Sequence, residues 1–161
     1  MATQNLLTSK QVAEVVGIKY ATLDSWLRPE RGGFLECTEP AAGRGSNRGF
    51  SFLDVLRIDA VARMRRGGVP LQTIRQVLTD LTERYRVEDP LLAGRLVVAG
   101  TRLFWALDDA TLLDVLTQQL ASTPLVILPV GEMIKDNRRK MVELFGEADS
   151  PAARAVGDFT T

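Results

Sequence analysis

Apolar residues at helical spacing near the start of the chain predict two short helices. Thr8 is a good N-cap residue, and the apolar side chains that follow recur at helical intervals until Gly17, which suits the left-handed position that ends a helix. A second helix is predicted over 20–27, with Trp26 on its apolar face and Pro29 just beyond its end. Two short helices joined by a glycine-containing turn indicate a helix-turn-helix unit, to which an ordinary helical hairpin is the alternative.

The next segment is rich in glycine and carries arginines, which predicts a β-hairpin with a long flexible tip. The segment spans 31–51, and its possible short strands are 34–38 and 50–52. Arg44 and Arg48 lie near the tip, where they would reach phosphate or the minor groove of a duplex. Such a hairpin after a helix-turn-helix is called a wing, and a solvated surface loop is the alternative.

Two longer helices are predicted to follow the wing. Ser51 and Asp54 form a capping-box-like pair at the start of the first, and Gly67-Gly68 stops it. Pro70 opens the second, which ends before Pro90. The apolar positions at helical spacing predict the buried faces, which are Leu53, Leu56, Ala60, Val61 and Met64 in the first helix and Leu71, Ile74, Val77, Leu78, Leu81 and Tyr85 in the second.

The second half of the chain alternates between strand-like and helix-like patterns. Residues 95–98 and 102–105 predict a β-hairpin, and 125–128 predicts a third strand. A helix is predicted to begin at Asp108-Asp109, and another covers 131–145. The order β-β-α-β-α suggests a small α/β module.

The predicted fold class is therefore an α-rich α+β protein, in which a winged helix-turn-helix domain precedes a small α/β module. The predicted divisions are a DNA-binding domain over 1–89, a module for dimerisation or for partner or effector binding over 90–146, and a tail over 147–161 expected to be flexible.

Composition narrows the possible functions. The chain has 161 residues, no histidine and one cysteine, Cys37, which removes most catalytic bases and His/Cys metal sites, so neither an enzyme, a metal site nor a cofactor is expected. Net charge is zero, but residues 1–76 hold 11 basic and 7 acidic side chains, as expected if this half binds DNA. No apolar run is long enough to cross a membrane, and no secretory signal is recognised, so a cytoplasmic location, nucleoid-associated when DNA-bound, is expected.

The order of these elements resembles the MerR family of transcriptional regulators over residues 6–81. The resemblance implies bacterial origin and duplex DNA as partner, with the second helix in the major groove and the wing beside it on the backbone. The matching stretches are Thr8-Ser9-Lys10-Gln11-Val12-Ala13, Gly17-Ile18, Ala21-Thr22-Leu23, Trp26, Leu35, Gly49-Phe50, Leu53-Asp54-Val55, Leu56-Arg57-Ile58 and Arg65-Arg66-Gly67-Gly68-Val69-Pro70-Leu71. The DNA-binding residues it implies are Lys19, Tyr20, Thr22, Ser25, Arg28, Arg44, Ser46, Asn47 and Arg48.

Four departures from the family pattern matter. The arginine that usually follows the Thr-Leu pair is Asp24, which is expected to repel phosphate, and Phe50-Ser51-Phe52 replaces the usual Tyr-Arg-x-Tyr. Glu88-Asp89-Pro90 interrupts the chain where members carry a long dimerising helix, and Cys37 alone cannot supply the paired cysteines of metal sensors. We therefore expect neither metal sensing nor the usual coiled-coil dimer.

These observations predict a sequence-specific transcriptional regulator that acts as a homodimer on double-stranded DNA. Two alternatives stay open at this point. The chain would be the antitoxin of a toxin–antitoxin pair that represses its own promoter, with a protein partner bound through 90–161, or an interaction adaptor that has lost DNA binding. The run Arg138-Arg139-Lys140 would touch DNA or form a solvated helix face.

Overall fold

The computed structural model describes residues 6–41, 47–106 and 125–146. Contacts between residues divide the chain into two compact units, the first made of 1–59 with 131–161 and the second of 60–130. The described helices and strands are α1 (Ser9–Val16), α2 (Tyr20–Leu27), α3 (Phe52–Arg66), α4 (Leu71–Thr79), β1 (Leu96–Ala99), β2 (Arg102–Trp105), β3 (Leu125–Ile127) and α5 (Val130–Phe145). An α+β composition is thereby confirmed.

Both predicted helices of the helix-turn-helix unit are present, and local hydrogen bonds explain their bounds. At the start of α1, the Gln11 backbone N–H donates to the Thr8 hydroxyl at 3.2 Å, and the Thr8 N–H donates to the Gln11 side chain at 2.9 Å. Gly17 ends the helix in the left-handed conformation, with φ of 77°, and its N–H donates to the Ala13 carbonyl. α2 then buries Leu23 and Trp26.

The chain turns sharply after α2. A short 3₁₀ turn covers Pro29–Arg31, and the backbone then approaches itself so closely that a Cβ on Gly33 would lie 2.6 Å from the Arg28 carbonyl oxygen. The N–H groups of Phe34 and Leu35 both donate to the Trp26 carbonyl, at 3.0 and 3.1 Å. This turn fastens the following segment to the end of α2.

The predicted wing strands are wrong for the described residues of this segment. Residues 34–38 form no strand, and Phe52 is the first residue of α3; what is present is a pair of isolated antiparallel bridges, Leu7 with Phe50 and Glu39 with Gly49. The reason is that a strand needs its backbone N–H groups for a partner strand. Here those of Phe34 and Leu35 bind the Trp26 carbonyl, and that of Thr38 binds the Asp54 side chain.

The Asp54 carboxylate joins the start of α3 to the preceding loop. Its Oδ2 accepts from the Thr38 N–H at 2.8 Å, the Thr38 hydroxyl at 2.6 Å and the Ser51 N–H at 3.0 Å. The Asp54 N–H donates to the Ser51 hydroxyl at 3.2 Å, which confirms the predicted capping box. Arg57 donates to Oδ1 at 3.0 Å. One buried side chain thus fixes residues that lie on both sides of the 42–46 segment.

α3 is buried on most of its surface. The predicted face is confirmed except at Leu53, which is half-buried, and the sequence did not predict that other faces are covered too. The buried apolar residues of α3 are Phe52, Val55, Leu56, Ile58, Ala60, Val61, Ala62 and Met64. The charged residues Asp54 and Asp59 are buried as well, so most of the helix is covered although it is not apolar all round.

The second unit contains α4 and a small sheet. Strand order is β2-β1-β3, with both pairings antiparallel, and Val97 faces Phe104 on one side and Ile127 on the other. The predicted hairpin and third strand are confirmed. The helix predicted from Asp108 to 120 and the tail over 147–161 lie outside the described residues.

The predicted burial of Tyr85 is wrong. The α-helix stops at Thr79 and continues as a single π-helical turn, Asp80–Arg84. Because this turn is wider than an α-helical one, residues beyond it no longer keep the face set by Ile74 and Leu81. The Tyr85 ring is 60% exposed, with the Arg84 guanidinium 5.7 Å from its centre.

A buried polar contact joins α5 to α3 within the first unit. Met133, Asn137 and Met141 form its buried stripe. The Asn137 side-chain amide donates to Asp59 Oδ2 and to the Met133 carbonyl, both at 2.8 Å. The predicted division after residue 89 stays a prediction, because units defined by contacts need not fold independently.

Candidate nucleic-acid interface

The first unit has a concave surface between the start of α1, one side of α2 and the segment after it. The cavity that this surface encloses has a volume of about 1450 Å³. Several charged and hydrogen-bonding side chains line it, and they come from three separate stretches of sequence. They include Lys10, Tyr20, Asp24, Arg28, Asn47 and Arg48. Four of the residues predicted to bind DNA, Tyr20, Arg28, Asn47 and Arg48, are therefore brought together.

Of the residues predicted for α2, Lys19, Thr22 and Ser25 do not line the concave surface. Lys19 is the exposed N-cap residue and makes no side-chain capping bond, and Tyr20 is 54% exposed. Thr22 and Ser25 are half-buried, and the Ser25 hydroxyl donates to the Thr22 carbonyl at 2.7 Å. Arg44 and Ser46 lie outside the described residues, so their part in the predicted site stays a prediction.

Asp24 forms the most strongly held group of this surface. Its Oδ2 accepts from Arg28 Nε at 2.6 Å and its Oδ1 accepts from Arg48 at 2.8 Å. The Asp24 side chain is 10% exposed, that of Arg48 15% and that of Arg28 44%. We refer to Asp24, Arg28 and Arg48 as the carboxylate clamp, which carries one net positive charge.

The clamp changes how Asp24 acts. The expected repulsion of phosphate assumed a lone carboxylate, whereas this one binds two guanidinium groups. Burial of Asp24 raises its pKa, but hydrogen bonds and positive charge from Arg48 and Arg28 outweigh that effect, so the pKa lies below its ordinary value. Asp24 in turn raises the pKa of Arg28. Asp24 and Arg28 are therefore charged at neutral pH.

The lowered pKa of Asp24 predicts a pH-dependent contribution to stability. A carboxyl whose pKa is lower in the folded state stabilises the fold above its unfolded pKa, and the stabilisation disappears as pH falls through the folded pKa. Asp24→Asn should therefore unfold at lower urea concentration than the wild type near neutral pH, and this gap should narrow below about pH 4. Glu132→Gln, which alters an exposed pair with Lys135, is the control. A gap that stays constant with pH would contradict the prediction.

Lys10 on the concave surface and Ala21 on the exposed face of α2 were not among the residues predicted to bind DNA. Lys10 is exposed at the start of α1 and lines the concave surface. Ala21 is exposed on α2, on the same side as Ser25 and Arg28. Ala21, Ser25 and Arg28 are spaced at i, i+4 and i+7, which marks a common helix face that the sequence already shows. Ala21 is not predicted as a DNA contact from its type because it is apolar.

The described residues offer little other site chemistry. Among residues 6–41, 47–106 and 125–146, no group of three or more Cys, Asp or Glu side chains is arranged to hold a metal ion. Cys37 lines the concave surface, where burial and the nearby Asp54 raise the pKa of its thiol. Within these ranges, no helix combines the length and apolar character needed to cross a membrane.

Comparison with known families agrees with this geometry. The family model described as MerR HTH family regulatory protein matches residues 7–81, the segment that contains the capping box, both short helices and the clamp. Residues 7–81 are a MerR-type helix-turn-helix domain.

The MerR-type domain is also the part shared with curated relatives. Proteins from Mycobacterium bovis and Mycobacterium tuberculosis, each described as an uncharacterized HTH-type transcriptional regulator, are 35% identical to this chain over 71 residues. That match covers 44% of this chain but 31% of each relative, so the chain aligns with under a third of their length.

Proposed function

We propose that this protein is a transcriptional regulator that binds double-stranded DNA sequence-specifically through α2 of its MerR-type domain. The observation that carries the proposal is the clamp, which joins the predicted recognition helix to Arg48, a residue of the predicted wing. The names of the mycobacterial relatives support the same function.

The dimensions and exposure of α2 suit the major groove. An α-helix with its side chains is about 10–12 Å across, which fits the groove width of about 12 Å, and α2 has eight residues. Tyr20, Ala21 and Arg28 are exposed along it, and the small side chain of Ala21 leaves room for close approach. Lys10 and Lys19 add positive charge toward the phosphates.

The second unit is proposed to make a homodimer, since paired half-sites raise both affinity and specificity. β2 is an edge strand of the described sheet, and Leu103, Phe104 and Trp105 on it are half-buried. The protein is proposed to act by binding rather than catalysis, in the cytoplasm where the bacterial chromosome lies. The adaptor alternative loses its main support, because it depended on an unpaired Asp24.

The first experiment is binding of the purified chain to a fluorescent fragment of its own upstream region, titrated with salt and with random competitor DNA. Tight binding that resists competitor and weakens steeply with salt would support the proposal. Equal affinity for random DNA would exclude sequence-specific regulation.

A lysine exchange on α2 tests the predicted orientation. Lys19→Ala should reduce the slope of log affinity against log salt by about one unit, because one phosphate contact is lost. Lys135→Ala removes an equally charged lysine from α5, whose side chain is 76% exposed, and should leave the slope unchanged. Equal slopes for the wild type and Lys19→Ala would show that the start of α2 does not contact the backbone.

A further inference from the structure

The geometry points to Arg28 as the residue that recognises a guanine in the major groove, with Asp24 as the residue that positions it. This inference rests on the proposed function and deepens it, since it names a base that the protein would select. It follows from which nitrogen of Arg28 is occupied and from the charge that surrounds it.

Asp24 occupies one particular edge of the Arg28 guanidinium. The 2.6 Å bond uses Nε, which is the nitrogen nearest the helix, and so leaves the distal pair of nitrogens as the outward end of the fork. A second contact, from one distal nitrogen to Glu30, is 3.4 Å long and joins two exposed side chains. That long, solvated contact can be exchanged for a ligand, whereas the short contact to buried Asp24 is retained.

A guanidinium held in this way suits a base edge better than a phosphate. The Asp24 carboxylate already balances the charge of Arg28 locally, so a phosphate gains less from this arginine than from an unpaired one, whereas a neutral acceptor keeps its full hydrogen bonds. Guanine presents two neutral acceptors, O6 and N7, in the major groove, and a planar arginine fork donates to both at once. The clamp therefore favours guanine over the backbone as the ligand of Arg28.

Arg48 fixes the carboxylate itself. It donates to the second oxygen of Asp24 at 2.8 Å from a position 24 residues further along the chain. With an arginine on each oxygen, and one of them from outside α2, the carboxylate has a defined orientation relative to the helix. The Arg28 fork is thereby oriented before DNA arrives, which reduces the entropy lost on binding.

The position of Arg28 at the end of α2 is compatible with this role. It is the C-cap residue of the eight-residue helix, so it lies only about 12 Å along the axis from the start of α2. Arg28 is 44% exposed at the side chain and lines the concave surface together with Tyr20.

The test uses the full chain and a duplex library with a randomised core. After selection, each G·C pair of the enriched sequence is replaced by A·T, and each guanine by the deaza analogue that lacks N7. For the wild type, one guanine should show a loss of roughly 5- to 150-fold on replacement by A·T and a smaller loss with the analogue.

Two variants assign that guanine to the clamp. Arg28→Lys should bind the G·C and A·T duplexes within about twofold of each other, because lysine keeps the charge but lacks the fork. Asp24→Asn should reduce the preference for G·C over A·T, because Arg28 is no longer positioned by a carboxylate. It should also raise the affinity for random DNA, since a negative charge is removed. Arg84→Lys, at an exposed arginine of the π-helical turn that follows α4, should behave as the wild type.

The outcomes separate this inference from the proposed function. A guanine preference that persists in Arg28→Lys would overturn the inference and leave the proposed function intact. An Arg28→Lys variant that loses the same affinity on every duplex would also overturn the inference, because Arg28 would then contact phosphate rather than a base. If the wild type enriches no sequence, both the inference and the proposed function fail.

Discussion

Replacing Trp26 with alanine is expected to lower the free energy of unfolding by about 3–5 kcal/mol. The indole is 4% exposed and belongs to the core of the first unit, as do Leu23 and Phe50. Its removal loses the transfer free energy of a large apolar group and leaves a cavity that the neighbouring helix cannot fill without moving. Urea unfolding followed by circular dichroism measures the change directly.

Tyr20→Ala is the matched control for Trp26→Ala, since it truncates an aromatic residue of the same helix that is 54% exposed. Its effect on unfolding should be within about 0.5 kcal/mol, although its DNA affinity is expected to fall. A Trp26→Ala protein as stable as the wild type would place the indole on the surface and would invalidate the core described here.

Asp54→Ala is expected to be nearly as damaging, at about 2–4 kcal/mol. The change removes the helix cap of α3 and leaves the backbone N–H groups of Thr38 and Ser51 without their acceptor. The cost is large because hydrogen bonds to an ionised carboxylate are stronger than those between neutral groups. Thermal unfolding of both proteins measures it.

Asp54→Asn separates the hydrogen bonds from the charge. The amide oxygen still accepts from Thr38 and Ser51, so this variant should recover part of the loss while the ion pair with Arg57 is absent. Glu132→Ala, at an exposed pair, should cost less than about 1 kcal/mol. An Asp54→Ala protein that matches Glu132→Ala in stability would show that the loop does not depend on this carboxylate.

Much of the fold was predictable because its signals are local. The ends of α1 and α2 follow from Thr8, Gly17 and Pro29, whose capping and turn preferences act within a few residues. The hairpin of β1 and β2 follows from β-favouring residues around Gly100 in the same way. The predicted cap of α3 at Ser51 was confirmed for the same reason.

The wing strands were predicted wrongly because the decisive hydrogen bonds are not local in this sense. The composition of 34–38 is compatible with a strand, but its N–H groups bind the Trp26 carbonyl and the Asp54 carboxylate. The latter lies 16 residues away from Thr38, and no pattern within the segment reveals it.

Part of the concave surface was predictable from the sequence, but the arrangement of its side chains was not, and binding of DNA by these residues stays a prediction. Tyr20, Arg28, Asn47 and Arg48 were named from the sequence and do line one surface. The sequence indicates an unpaired negative charge at Asp24, whereas in the structure Asp24 forms an ion pair with Arg48. This pair was not predictable because the two residues are 24 positions apart.

The contact between Asp59 and Asn137 constrains how this sequence can vary. The two residues are 78 positions apart, and both are buried. Exchanging Asn137 for an apolar residue would remove a hydrogen-bond donor from the buried Asp59 carboxylate, and exchanging Asp59 would remove an acceptor from the buried Asn137 amide, whereas a joint exchange for two apolar residues avoids both costs. Natural homologues should therefore show correlated substitutions at these two positions, so that a change in α5 is accompanied by a change in α3.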